Sequence, residues 1–269
     1  MSSADSPEPT AIDPYDDTWA ALRSTTQARI GLGRAGDALP TRRVLEFQAA
    51  HAAARDAVHE PLDVDTLAAA VAAVGLGDPA VVTSLATSRG EYLRRPDLGR
   101  RPADLSGLPA VGEGEGADVG IVLADGLSPR ALVDHGAQLL GAIADALRPT
   151  YAIAAPVIAT QARVALADHV GAALGVGTLV VLIGERPGLS VADSLGVYLT
   201  HAPRPGRADS ERNCVSNVHP PDGLGYEQAA AVVAGLVRGA RELGASGVRL
   251  KDASRSLGLP GPEPGAQPG

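Results

Sequence analysis

A carboxylate and a guanidinium follow directly after one of the most apolar stretches of the sequence. The run TLVVLIG at residues 178–184 predicts a buried strand, and Glu185, Arg186, Pro187 and Gly188 come next. A charge at the end of a buried strand is costly unless it has a specified partner. Glu185 therefore either pairs with an arginine or uses its carboxylate to hold a ligand, and we favour the ligand.

Two further segments place reactive side chains after predicted strands. Asp125 begins the loop 125–128, where it either satisfies loop amides or contacts a ligand, and the sequence favours neither interpretation. Cys214 lies in segment 201–223, which is too long for a plain connection between elements. A small buried side chain is the commoner state of a cysteine, and the asparagines and the histidine near Cys214 do not form a catalytic spacing.

Histidine and glycine patterns argue against two common kinds of site. The histidines show neither a His-x-x-x-His nor a Cys-x-x-Cys spacing, so no zinc site is predicted. They are His51, His59, His135, His169, His201 and His219. A Gly-x-Gly-x-x-Gly motif does not follow the first strand, and no P-loop motif occurs, so the two commonest nucleotide cradles are absent.

The composition predicts a folded protein without a leader or a membrane span. Apolar residues make up 45% of the 269 positions, which is ample for a core. The single cysteine cannot form an internal disulfide, and the start MSSADSPEPTAIDP lacks the basic and apolar regions of a secretion signal. No uninterrupted apolar stretch reaches the roughly 20 residues that span a bilayer. We expect a cytoplasmic protein that does not insert into membranes.

The net charge of −8 argues against general nucleic-acid binding, because neutralising phosphates requires a basic surface. Arginines nevertheless concentrate in SRGEYLRRPDLGRRP at residues 88–102. They could contact a phosphate, but the acidic chain as a whole favours a solvated face or a partner surface. These arginines are Arg89, Arg94, Arg95, Arg100 and Arg101.

Short apolar runs alternate with helical patterns in the second half of the chain. Strands are predicted at residues 118–124, 151–156, 178–184 and 195–200. Ser128 and Pro129 are predicted to cap and begin a long helix, and a last helix runs from about Tyr226 to Leu243. Its apolar stripe contains Ala229, Val232, Val233, Leu236, Val237 and Ala240. This alternation predicts an α/β fold with a Rossmann-like, mostly parallel sheet covered by helices, which binds ligands at the carboxyl ends of its strands.

Changes in composition divide the chain into five segments. In the helical part, one helix is predicted from Thr41, and a second is predicted to be capped by Asp65 and to end at Gly75. The segments are a mobile tail at 1–15, a helical N-terminal region at 16–104, a Gly-rich linker at 105–117, a Rossmann-like domain at 118–251 and a mobile tail at 252–269.

Six blocks of sequence, in order along the chain, carry a family likeness. They are RIGLGRAGDALPTR (29–42), HAAARDAV (51–58), EYLRRPDLGRR (91–101), VLADGLS (122–128), VVLIGERPGL (180–189) and ERNCVSNVHP (211–220). Together they resemble the small subunit of ethanolamine ammonia-lyase. The likeness runs from about Arg23 to Leu250, and six blocks in register are far more specific than any one of them.

The resemblance implies a subunit of an adenosylcobalamin-dependent lyase that converts ethanolamine to acetaldehyde and ammonia by radical chemistry. In that family a large barrel subunit holds the substrate and the reacting adenosyl group. The small subunit covers much of the rest of the corrinoid at the interface of a hetero-oligomer, so the segment 118–251 would be the cobalamin-binding domain. Catalytic residues are expected on the large subunit. Many relatives are housed in a bacterial microcompartment.

Three cofactor contacts carry over from the family to this sequence. They fall on Glu185 within GERPGL, on Cys214 within ERNCVSN and on Val164 within ARVALADHVG. Glu185 would hydrogen-bond the amide groups around the corrin ring, with Pro187 and Gly188 fixing the turn that aims it. Two alternatives stay open: a non-catalytic corrinoid carrier or assembly module, and a stand-alone enzyme that uses Cys214.

Overall fold

The computed structural model describes residues 14–109 and 116–252, which contain both strands and helices. The strands are β1 (Ala80–Thr83), β2 (Val119–Ala124), β3 (Val157–Thr160), β4 (Thr178–Gly184), β5 (Leu195–His201) and β6 (Arg212–Val218). The α-helices are α1 (Pro14–Arg23), α2 (Thr41–His59), α3 (Val64–Ala72), α4 (Arg89–Arg94), α5 (Pro129–Leu147), α6 (Leu166–Ala173) and α7 (Tyr226–Leu243). The predicted tails and the middle of the predicted linker lie almost wholly outside the described residues.

The described strands form one sheet in the order β1-β3-β2-β4-β5-β6. The first four of these strands are parallel, and β5 and β6 extend the sheet in antiparallel pairings. The predicted α/β class and mostly parallel sheet are confirmed. The carboxyl ends of β2, β3 and β4 therefore meet at one edge, which is where such sheets bind ligands.

The two faces of the sheet carry separate apolar cores. One face packs against α3, α5 and α7, and the other packs against α6. Every residue of β2 and β4 is buried, which explains why these strands read as continuous apolar runs. Tyr198 of β5 lies at the margin of the α6 core and is only partly buried.

Local signals define the long helices of the first face. Ser128 accepts a hydrogen bond from the N–H of Ala131 (3.3 Å), and Pro129 lies in the first turn of α5, as predicted. The predicted stripe of α7 packs on the sheet, with Val232 partly buried. Gly244 ends α7 at a φ of 65°, a left-handed conformation that glycine adopts without steric cost.

One predicted helix cap is wrong. Asp63, two residues before the predicted Asp65, caps α3, because its carboxylate accepts a hydrogen bond from the N–H of Thr66 (3.0 Å). Asp65 lies instead in the first turn, where a negative charge is also favourable next to the helix dipole. Two aspartates at this spacing fit the start of a helix equally well in the sequence.

The strand predicted at residues 151–156 is also misplaced. Within it, Ile153 forms only an isolated bridge to Val119, and β3 begins at Val157. Pro156 explains the shift, because proline has no N–H to donate to a neighbouring strand.

Two strands were not predicted at all. Segment 201–223, expected to be a loop, contains β6, and the region expected to be helical contributes β1 to the sheet. Besides α3, the helices of that region are α1, α2, as predicted from Thr41, and the short α4. Among helices within residues 14–109 and 116–252, none has the length and apolar character needed to cross a bilayer.

Candidate functional site

The three predicted cofactor contacts lie around one side chain, Tyr198 of β5. Val164, Glu185 and Tyr198 line a cleft of about 450 Å³ at the carboxyl ends of β2 and β4. Cys214 of β6 is the pairing partner of Tyr198, so their side chains project from the same face of the sheet. The fold thus brings together three residues that are far apart in the sequence.

Glu185 holds its carboxylate with a serine and a backbone amide. Its Oε2 accepts hydrogen bonds from the Ser194 hydroxyl (2.8 Å) and from the N–H of Asn217 (3.2 Å). Its Oε1 lies over Gly196, where a Cβ would come within 3.1 Å of it. Arg186 is exposed. The described hydrogen bonds therefore do not support pairing of Glu185 with Arg186, and glycine at position 196 makes room for the carboxylate.

The loop between β4 and β5 bends at Leu189 and Ser190, directly after the Pro187 and Gly188 at which the turn was predicted. The N–H of Gly188 donates to the carbonyl of Val191 (2.7 Å) and closes this turn. Gly188 keeps an ordinary negative φ, so the turn does not use the left-handed freedom of glycine. Arg29 donates to the carbonyl of Leu189 (3.0 Å) and holds the segment before α2 against the tip.

The base of the same loop is fastened to α5 and α7. His135 of α5 shares a hydrogen bond of 2.8 Å with the hydroxyl of Tyr226, and its Nε2 lies 3.5 Å from the carboxylate of Asp193. The Ser128 hydroxyl donates to the carbonyl of Ala192 (2.7 Å). These contacts fix the path of the chain that ends at Ser194, the partner of Glu185.

Cys214 does not have the character of a nucleophile. The residue is exposed, but its thiol is partly buried, and this burial raises the pKa of the thiol. The hydrogen bond with Tyr198 lowers the pKa, and the charge of Glu185 raises it. Burial also raises the pKa of Tyr198 to about 12. A raised pKa keeps the thiol protonated at neutral pH, whereas nucleophilic attack requires the thiolate. The structure therefore gives no support to a stand-alone cysteine enzyme.

Val164 lies in the loop between β3 and α6, which Asp125 holds from the end of β2. The Asp125 carboxylate is 2% exposed and accepts hydrogen bonds from the N–H groups of Gln161 (2.7 Å) and Ala162 (2.9 Å). Burial raises the pKa of Asp125 to about 6, against the effect of these amides and of Arg89. The interpretation that Asp125 satisfies loop amides is confirmed.

Tyr92 of α4 forms part of the cleft wall between two arginines. The guanidinium of Arg89 lies 4.7 Å from the centre of its ring, and that of Arg163 lies 4.4 Å from it. The Tyr92 hydroxyl donates to the carbonyl of Ala162 (3.2 Å). The expectation of a solvated face is wrong for Arg89, whose side chain is only 11% exposed. It holds for the other arginines of the stretch, Arg94, Arg95, Arg100 and Arg101.

A buried ion pair joins the strand of Cys214 to the helix that follows Val164. Arg212 of β6 makes two hydrogen bonds of 2.7 Å to the carboxylate of Asp168 in α6, and a third of 3.0 Å to the Thr200 hydroxyl. Such two-pronged pairs fix geometry as well as charge. The relative placement of Val164 and Cys214 therefore depends on this contact.

A comparison with known protein families shows which family the chain belongs to. Residues 16–251 match the sequence pattern of the family described as "Ethanolamine ammonia-lyase light chain (EutC)". The chain belongs to the ethanolamine ammonia-lyase light-chain family. The resemblance inferred from the six sequence blocks is thereby confirmed, and the enzyme class is that of an ammonia-lyase with a small subunit.

Close relatives of the light-chain family match almost the whole chain. An "Ethanolamine ammonia-lyase small subunit" from Rhodococcus erythropolis is 68% identical over 243 residues, which cover 90% of this chain and 93% of the relative. A protein of the same name from Ralstonia nicotianae is 50% identical over 241 residues, or 88% of each chain. A third, from Rhodopseudomonas palustris, is 46% identical over 251 residues, or 89% of this chain and 95% of the relative.

The surroundings of the cleft are suited to binding rather than to acid–base chemistry. Glu185 supplies a hydrogen-bond acceptor, Arg163 and Arg186 supply donors, and Val164 and Tyr198 supply apolar surface. Within residues 14–109 and 116–252, no group of three or more His, Cys, Asp or Glu side chains is placed to hold a metal ion.

Several residues of the site were missed by sequence reasoning. Tyr92 lies inside a block that carried the family likeness, so a search for buried aromatics there would have found it. Tyr198 and Ser194 carry no sequence signal, because their roles arise from strand register and from the path of the β4–β5 loop.

Proposed function

We propose that this chain is the small subunit of an adenosylcobalamin-dependent ethanolamine ammonia-lyase, where it covers the corrinoid at the interface with a large catalytic subunit. The observation that carries the proposal is the convergence of Val164, Glu185 and Cys214 around Tyr198, at the edge of the sheet that binds ligands. Family membership supports the reaction. The name "small subunit" of the relatives supports a large partner in a hetero-oligomer.

The residues of the cleft fit the chemistry of a corrinoid. A corrin ring is a flat apolar macrocycle fringed by carboxamide groups, which donate through nitrogen and accept through oxygen. Glu185 offers Oε1 to an amide N–H, and Arg163 and Arg186 offer donors to amide oxygens. A cleft of about 450 Å³ is smaller than a whole corrinoid, so it receives one edge of the ring and the partner covers the remainder.

The contribution of this chain to the reaction is binding and orientation. Adenosylcobalamin, when bound, supplies the radical that begins the conversion of ethanolamine to acetaldehyde and ammonia. Glu185 would accept a hydrogen bond from the amide fringe of the bound cofactor, and Val164 and Tyr198 would exclude water from the cleft. With a pKa of about 12, the Tyr198 hydroxyl keeps its proton at neutral pH. Proton transfer to the substrate is assigned to the large subunit.

Replacement of Glu185 by glutamine tests the assignment in the assembled complex. The change retains the shape of the side chain but removes a charged acceptor, so we expect cobalamin binding to weaken by about 1.5 to 3 kcal/mol, or roughly 10- to 150-fold. The dissociation constant for cyanocobalamin measures this effect by equilibrium dialysis.

Glu242→Gln is the matched control for this test. Glu242 is exposed in the last turn of α7. That turn lies at the edge of the sheet opposite the cleft, so this variant should bind cobalamin like the wild type. Equal cobalamin affinity for Glu185→Gln and the wild-type complex would overturn the assignment of Glu185.

A further inference from the structure

We propose that Asp125 is a positioning residue for this site and that, together with Tyr92, it clamps the loop 161–164 in the conformation that presents Val164 to the cofactor. The inference rests on the proposed function. It adds that the affinity for cobalamin depends on two residues that need not touch the cofactor.

The first half of the clamp is the carboxylate of Asp125. Its two oxygens each accept one backbone N–H, from Gln161 (2.7 Å) and from Ala162 (2.9 Å). Gln161 has a φ of 51°, in the left-handed region that non-glycine residues rarely occupy. A strained residue of this kind persists only where its surroundings hold it, so the loop depends on these two bonds.

The second half of the clamp is Tyr92. Its hydroxyl donates to the carbonyl of Ala162 (3.2 Å). The guanidinium of Arg163, the next residue of the loop, stacks on the tyrosine ring. The N–H of Arg163 donates to the carbonyl of Gly99 (2.8 Å). The backbone of residues 161–163 is therefore held by groups outside β3 and α6, immediately before Val164.

Arg89 joins the clamp to two other parts of the chain. It donates to the carbonyl of Val58 at the end of α2 (2.6 Å) and to the carbonyl of Gly126 (2.9 Å). Its guanidinium also lies 3.8 Å from the carboxylate of Asp125. The loop after β2 and the loop after β3, both at the cleft, thus share one anchor.

The opposite end of β2 provides a control with the same chemistry. Asp118 precedes the strand, accepts a hydrogen bond from the N–H of Ala152 (3.0 Å) and pairs with Arg241. Arg241 in turn lies 5.2 Å from the ring centre of Tyr151. This aspartate, arginine and tyrosine repeat the pattern of the clamp at the edge of the sheet that does not face the cleft.

The test compares Asp125→Asn and Tyr92→Phe with the controls Asp118→Asn and Tyr151→Phe, each assembled with the large subunit. Hydrogen exchange of the backbone amides at 161–163, without cofactor, reports the loop directly. Cyanocobalamin dissociation constants report binding, and KM for adenosylcobalamin is compared with kcat.

Removing a hydrogen bond of the clamp should speed exchange and raise both the dissociation constant and KM by about 5- to 10-fold, with kcat nearly unchanged. The controls should leave all of these values unchanged.

The outcomes separate this inference from the proposed function. Unchanged exchange in both clamp variants would overturn the clamp. Faster exchange with normal cobalamin affinity, while Glu185→Gln binds weakly, would overturn the positioning role and leave the proposed function standing. Failure of the wild-type complex to bind cobalamin would overturn both. Tyr92→Phe removes a single hydroxyl, so it keeps the inference testable if Asp125→Asn fails to fold.

Discussion

The carboxylate of Glu185 is held through one of its two oxygens. Oε2 accepts hydrogen bonds from Ser194 and Asn217, and Oε1 lies over Gly196. The sequence predicted a ligand contact at Glu185 because a charge after a buried run is conspicuous, and it predicted contacts at Val164 and Cys214 only through the family likeness. It could not identify Tyr198, because nothing but the register of β5 on β6 places that ring beside Cys214.

A pH-dependent stability is expected from Asp125, whose pKa is raised from 3.8 to about 6 by burial. Because the folded chain binds this proton more tightly than the unfolded chain, the stabilisation is present below about pH 3.8 and is lost as the pH rises through about 6. Asparagine does not titrate. The free energy of unfolding of wild type minus that of Asp125→Asn should therefore be larger at about pH 4 than at about pH 7, by up to ~3 kcal/mol.

Chemical denaturation of the two chains at both pH values provides the measurement. Arg89 and Tyr92 lie beside the same carboxylate and are present in both chains, so the comparison isolates the titration of Asp125. A difference that is constant with pH, or larger at neutral pH, would contradict the raised pKa.

At the scale of elements, the hairpin of β4 and β5 and the edge strand β6 carry most of the site. Apolar runs predicted both strands of the hairpin, but β6 was expected to be a loop, because RNCVSNV shows neither a continuous apolar run nor a strict alternation of polar and apolar residues. It also follows a stretch rich in Pro, Gly and charge. Its polar residues have partners that only the folded chain supplies. Asn213, for example, donates to the carbonyls of Gly247 (3.3 Å) and Leu250 (3.1 Å).

The ion pair between Arg212 and Asp168 should dominate the stability of this edge. Both side chains are at most 2% exposed, so Arg212→Met leaves a buried carboxylate without its partner and should cost about 3 to 5 kcal/mol of unfolding free energy. The double variant Arg212→Met with Asp168→Leu removes both charges and should recover most of that loss. Urea denaturation measures both.

The exposed pair of Arg130 and Asp134 serves as the control, since Arg130→Met should cost less than about 1 kcal/mol. If Arg212→Met costs no more than this control, or if the double variant is no more stable than the single one, the pair does not hold the edge as described.

At the scale of the whole molecule, the alternation of strands and helices was sufficient to predict the α/β class, because buried parallel strands must be nearly continuous in apolar residues. The same reasoning failed for β1, a strand of four residues that is too short to show a period. It also could not place the segment before α2, where Arg29 donates to the carbonyl of Leu189 and Ser190 donates to the carbonyl of Gln27. Contacts of this kind depend on the path of the chain and leave no pattern in the sequence.

The central claim is that the corrinoid site is completed by a second subunit. Adenosylcobalamin binding and the release of ammonia from ethanolamine should be measured for this chain alone, for the large subunit alone and for their mixture. We expect stable cofactor binding with ammonia release in the mixture only, since the cleft of about 450 Å³ on this chain is smaller than a whole corrinoid. Stable corrinoid binding by this chain alone, with no ammonia released by the mixture, would contradict the claim and identify a carrier.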